Sequence, residues 1–145
     1  PDIHQVWCHE VGGSRMLTGV SIKARYPGHA MQTGHIASQC HAGAYAGKWV
    51  IVTDDDVDVT DLEELIWAAL MCCDPATEID FIRNAWTSNA DPRLHPDDKA
   101  KGIVTNYRMI IDATKPFHWA DRFPKSTKPS PETLEAARKK FGHLA

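Results

Sequence analysis

Trp49-Val50-Ile51-Val52-Thr53-Asp54-Asp55-Asp56-Val57-Asp58-Val59-Thr60-Asp61-Leu62-Glu63-Glu64-Leu65-Ile66 joins the most strand-like run of the chain to the most helix-like one. Trp49 to Thr53 is bulky and β-branched with no polar alternation, the pattern of a strand buried on both faces of a parallel or mixed sheet. The spacing Thr60-x-x-Glu63 has the form of a capping box. Leu62, Leu65, Ile66, Ala69, Leu70 and Cys73 then recur at helical intervals. Asp61, Glu63 and Glu64 favour the positive start of that helix, and Asp74-Pro75 stops it.

Working outward, the upstream chain reads as a weak strand over 3–8, a break at Gly12-Gly13, and an alternating strand over 16–24. Pro27-Gly28 opens one helical stretch to about Ala46. Its stripe Ala30, Gly34, Ala37, His41 and Ala44 is nearly all small, which lets the backbone lie close to a neighbour. Gly47 is placed where a left-handed cap is wanted. Downstream, 78–86 and 106–112 read as strands around a polar loop over 87–102, of a length that is usually functional or mobile. Residues 115–128 form an irregular arm with two prolines, Pro116 and Pro124. A final helix begins with Ser130 as cap and Pro131 at its first position, with the thin stripe Leu134, Ala137 and Phe141. The order β-β-α-β-α-β-β-α predicts a three-layer α/β sandwich on a mixed, partly parallel sheet. It forms one domain over 1–145, in which 115–145 is a C-terminal arm and helix.

The 145 residues carry 43% hydrophobic and 24% charged side chains, a soluble-domain composition that excludes disordered and fibrous classes. Sixteen basic and nineteen acidic residues leave a formal charge of −3, with no basic stripe for nucleic acid. No apolar run is long enough for a membrane span and no signal segment opens the chain. Cys8, Cys40, Cys72 and Cys73 form no CxxC, and the adjacent pair makes a poor disulfide; four free thiols predict a cytoplasmic protein.

His29, His35 and His41 are six apart, which spreads them around a helix instead of stacking them as zinc ligands do at i, i+4. Asp54-Asp55-Asp56 at a strand end suits either magnesium and phosphoryl transfer or simple helix entry. Without a phosphoacceptor and a lysine after later strands, helix entry is the favoured reading. No phosphate loop, nucleotide fingerprint or nucleophile elbow occurs.

Three stretches together resemble the C-terminal domain of the UbiD-type decarboxylases. They are Ser21-Ile-Lys-Ala-Arg-Tyr-Pro-Gly-His-Ala30, the run Trp49 to Ala69 followed by Cys73-Asp-Pro75, and Ile111-Asp-Ala-Thr-Lys-Pro116 after Asp91-Pro-Arg93. The likeness is nearer the AroY-like and hydroxybenzoate branch than the cinnamate branch. It implies a parent carboxy-lyase that reversibly decarboxylates aromatic acids with prenylated FMN, Mn2+ and K+, held mainly by an N-terminal part of that enzyme. This chain is then the oligomerising, active-site-closing domain, without catalytic residues or metal ligands, inactive alone and binding none of these cofactors by itself.

The same resemblance implies a cofactor-facing role for His41, where related enzymes carry a lysine that meets the phosphate; Lys48 is the nearest lysine. It implies a substrate-pocket role for Tyr45, Trp86 and Ser88. Partners are a second copy, through Phe117, Trp119, Phe123, Leu134 and Phe141, and the parent's N-terminal part, with neither nucleic acid nor membrane. The competing expectation is a stand-alone α/β interaction or regulatory domain.

Overall fold

The computed structural model describes residues 2–124 and 129–142. Trp49–Asp54 forms β3, with Val50 to Thr53 all buried, as the uninterrupted apolar run requires. It is flanked on both sides by parallel neighbours: β2 (Leu17–Ile22) and β5 (Thr105–Ala113). β1 (Ile3–Cys8) and β4 (Ile79–Trp86) close the edges in antiparallel pairing, so the sheet of the described residues runs β1-β2-β3-β5-β4.

Alternation along the central strands feeds two cores. Val20, Ile22, Val50 and Val52 pack with Ala30 under α1 (His29–Gln39). Ile51, Ile111 and Ala113 pack with Val57, Val59, Leu65 and Ala68 under α3 (Leu62–Cys72). Helix, mixed sheet and helix make the three layers expected. Gly34 explains the small stripe of α1: a Cβ there would lie 2.3 Å from Ile110 Cγ2, so only glycine lets the helix sit this low on β5.

Several local expectations change. The single helix to Ala46 is two, α1 and the short α2 (His41–Ala44), because Cys40 between them is extended at ψ 162°. Gly47 is not left-handed; its amide donates to the Gly43 carbonyl at 2.9 Å, and a Cβ would crowd that oxygen. The cap of α3 is Asp61, which accepts from the amides of Glu63 and Glu64 at 2.9 and 3.2 Å. Thr60 instead donates its amide and hydroxyl to the Asp58 carboxylate at 3.0 and 2.8 Å. The long loop contains a short helix, α4 (Pro96–Ala100), started by His95 Nδ1 accepting from the Asp97 amide.

α5 (Pro131–Phe141) begins at the expected cap, Ser130, but buries none of its residues. In the arm, Trp119 is half-buried against Phe123 with ring centroids 5.2 Å apart, while Phe117 is exposed. Residues 125–128 of the arm, and Pro1 and 143–145 of the domain, lie outside the described residues. No helix among the described residues is long and apolar enough to cross a membrane.

Candidate functional site

The break after α1 creates the site. Carbonyls freed by a chain reversal inside a domain need donors, and Arg108 of β5 supplies them. Its guanidinium donates to the carbonyls of Ser38, Gly43 (3.1 Å), Ala44 (2.8 Å) and Trp86 (2.6 Å). Its Nε donates to Asn106 Oδ1 at 3.2 Å. Arg108 is 1% exposed, the largest fully buried side chain among the described residues. Burial pulls its pKa down, but an arginine stays protonated in proteins. One cation thus ties the end of α1, the second half of α2 and the end of β4 to the middle of the sheet.

The network continues from Asn106, whose amide donates to Asp91 Oδ2 at 3.3 Å. Asp91 is fully buried and pairs with Lys48 Nζ at 2.7 Å. Burial pushes its carboxyl up, but Lys48 and the amides of Arg93 and Asn106 outweigh this and hold it below the ordinary aspartate value. Lys48 is therefore committed to fastening the 87–102 loop and is not a free phosphate ligand.

Above this polar floor lie the four residues singled out in the sequence. His41 and Tyr45 sit one turn apart, with rings edge-on at 5.3 Å. Tyr45 meets Trp86, from the far end of β4, edge-on at 5.3 Å. The carbonyl of Tyr45 accepts from the Ser88 amide at 2.8 Å and the Thr87 hydroxyl at 3.0 Å. Residues more than forty positions apart thus form one surface, with Tyr45 38% and Trp86 53% exposed.

Ring faces, a phenol, an indole N–H and a hydroxyl on a rigid backing suit a flat aromatic partner. His41, Tyr45, Trp86 and Ser88 include no carboxylate, and of these four His41 alone can carry a positive charge toward a phosphate, when protonated. The residues therefore fit the ring of an aromatic acid or flavin and do not form a phosphate cradle. Arg108 and Asn106 escaped sequence reading because polar residues alternating along a strand normally face water.

The other acidic candidates lie elsewhere. Asp54 accepts from the Lys115 amide at 2.8 Å, and Lys115 Nζ bridges both oxygens of Asp56 at 2.8 and 2.7 Å. A lysine beyond a later strand does reach the aspartates, contrary to the sequence expectation. It acts as a latch on the chain leaving β5. Burial pushes Asp54 up. It also lowers Lys115, but the two aspartates outweigh that and leave Lys115 above its ordinary value. No group of three or more potential ligands is placed to hold a metal among the described residues. His29 is buried against Tyr26 with ring centroids at 4.5 Å, and His35 pairs with Asp80 of β4 at 2.8 Å. The four cysteines are free, and burial pushes the Cys73 thiol up to about 11.

Residues 1–113 match the C-terminal domain of 3-octaprenyl-4-hydroxybenzoate carboxy-lyase, UbiD. The chain belongs to that family as a UbiD C-terminal domain. A phenolic acid decarboxylase of Escherichia coli O157:H7 is 32% identical over 132 residues, 90% of this chain and 26% of the relative. The vanillic acid decarboxylase of Sedimentibacter hydroxybenzoicus, solved in an open form, superposes with a TM-score of 0.73 at 26% identity, over 99% of this chain and 30% of that one. Its closed form gives 0.72 at 27%, over 99% and 29%. The fold alone is shared with the UbiD-class enzyme HmfF of Pelotomaculum thermopropionicum in complex with FMN, with a TM-score of 0.77 at 23% identity over 94% and 29%. An evolved dimeric form of HmfF with prFMN gives 0.62 at 22% over 89% and 24%. The chain spans about a quarter of the length of the curated relatives it matches.

Proposed function

We propose that this domain forms one wall of the active site of a UbiD-type carboxy-lyase that reversibly decarboxylates aromatic, hydroxybenzoate-like acids. The aromatic surface of His41, Tyr45 and Trp86, backed by Arg108, carries this reading. In the complete enzyme, prenylated FMN held with Mn2+ and K+ by the N-terminal part supplies the electron sink for loss of carbon dioxide. On this chain, Tyr45 and Trp86 cover the substrate ring and exclude water, Ser88 offers a hydroxyl at the rim, and His41 lies toward the cofactor in place of a lysine. The open and closed forms of the Sedimentibacter relative support a closing role for such a wall. The dimeric HmfF supports self-association, here proposed as a homodimer. Four free thiols support a cytoplasmic location.

The test has two arms. The isolated chain, mixed with prenylated FMN, manganese and a panel of aromatic acids, should show no turnover; turnover above background contradicts the reading. In the complete enzyme, Trp86→Ala should lower kcat/KM about tenfold, the effect of roughly 1.4 kcal/mol lost from the transition state, with the melting temperature held. Unchanged kinetics would remove the aromatic surface from the active site.

A further inference from the structure

β1 departs from regular alternation at its start. Ile3 pairs with Ile22 and Gln5 with Ser21, so a bulge between them takes up one extra residue. The bulge turns Ile3 to the same side of the sheet as Val6 and Cys8, the side on which Val20 and Ile22 join the core under α1. α1 rests mainly on β3 and β5, which leaves this side of the β1–β2 hairpin open. The result is a cavity of about 530 Å3 between α1 and the hairpin. Small-molecule sites occupy roughly 300–1,000 Å3.

The walls are branched and aliphatic. Val6 and Val20 form the floor, and Ile36 and Ala37 of α1 form one side. Ile3, Val6 and Ile36 are 49%, 54% and 60% exposed, so the chain itself does not fill the trough. It follows β1, a six-residue strand of roughly 17–20 Å. At the Ile3 end the polar groups satisfy one another. Asp2 accepts from the Arg25 guanidinium at 2.8 Å. The Tyr26 hydroxyl donates to Gln32, and its ring stacks on His29 at 4.5 Å. At the Cys8 end stands Arg15, exposed, with a guanidinium that pairs with no described residue. A trough with aliphatic walls, one unpaired cation at an end and its one carboxylate already paired complements an apolar chain with a single anionic head. It differs from the aromatic surface, whose rings suit a flat partner.

We propose that this trough binds a medium-chain aliphatic carboxylate, with the chain along Val6, Val20 and Ile36 and the carboxylate on Arg15. Ala42 and Gly43 line it from α2, whereas His41, Tyr45 and Trp86 do not. The site requires neither the cofactor nor the rest of a decarboxylase, so its test stands apart from the function proposed above.

Titration calorimetry of the 145-residue chain with decanoate, below its micellar concentration, should show saturable binding of one molecule per chain. Arg15→Gln, at an exposed position, should weaken decanoate binding about tenfold and leave decanol binding unchanged. Ile36→Asp on α1 and Val6→Asp on β1, each with an unaltered circular-dichroism spectrum, should each abolish binding of both. Cys8 and Cys40 line the trough and are free. Decanoate should therefore slow their alkylation by iodoacetamide severalfold, read by mass spectrometry, while Cys72 and Cys73 at the end of α3 react as before. No saturable binding, or binding kept by both aspartate variants, overturns the site. Equal decanoate affinity of the parent and Arg15→Gln overturns the carboxylate as its head group. Shielding of Cys8 and Cys40 that grows with protein concentration in the absence of decanoate gives the trough to a second copy of the chain and overturns the ligand.

Discussion

α3 and α5 are each eleven residues long, each begins at a side-chain cap, and each has at least one acidic residue in its first turn. One is built into the sandwich and the other buries nothing. Caps and propensity decide where a helix starts, but a three-turn helix in water is marginal, so what holds it is the face it buries. α3 has Leu65 and Ala68 fully buried beneath Val57 and Val59, whereas the thin stripe of α5 meets no core of its own chain. The two helices should therefore answer very differently to equivalent substitutions.

The largest difference is expected from core truncation. Leu65→Ala should cost about 2–5 kcal/mol in chemical denaturation, because the side chain fills the space above Gly19 and beside Val59. Leu134→Ala in α5, measured below the concentration at which the chain associates, should stay within about 0.5 kcal/mol of the parent. Equal losses at the two positions would mean that α5 is built into the core.

Next comes the buried pair under the aromatic surface. Asp91→Asn should cost about 1–3 kcal/mol at pH 7, since it strands Lys48. The folded Asp91 carboxyl lies below its ordinary 3.8. Its contribution is therefore fully present above that value and is lost as the pH falls through the lower, folded one. The stability gap between parent and Asp91→Asn should hold from neutral pH to about 4 and close below it. A gap that closes between pH 7 and 5 would place the dependence on another group.

The smallest expected effect separates the caps. Asp61→Ala should cost about 1 kcal/mol of global stability. Ser130→Ala, a cap of the same kind, should leave the global midpoint unchanged, because α5 is not part of the cooperative unit. Denaturant midpoints for both variants decide this, and a loss at Ser130 equal to that at Asp61 would contradict it.

How much of this was legible follows the same division. β3 and α3 read directly, because an uninterrupted β-branched run and an i, i+3, i+4 stripe each have one stable use in an α/β sheet. The exact cap did not, since Thr60 and Asp61 are both good caps, and only the Asx turn at Asp58 takes Thr60 out of competition. The break at Cys40 was hidden by helical spacing that continues through it. Its cause lies sixty-eight residues downstream in sequence, at Arg108, which takes up the carbonyls around the reversal. Alternation alone turns Tyr107 inward and Arg108 outward on β5, and the structure reverses them. His41, Tyr45, Trp86 and Ser88 have no local spacing in common. Family resemblance pointed to each separately, and the Arg108 clasp is what brings them to one surface.

Steady-state kinetics of Tyr45→Ala in the complete enzyme, with its melting temperature measured alongside, tests the central claim most directly. Tyr45 is the middle ring of the aromatic surface, and its side chain takes no part in the Arg108 network beneath. The expected result is a fall of about tenfold or more in kcat/KM for the aromatic acid, with the melting temperature unchanged. Parent-like kinetics with a correctly folded protein would show that this surface does not face the reaction.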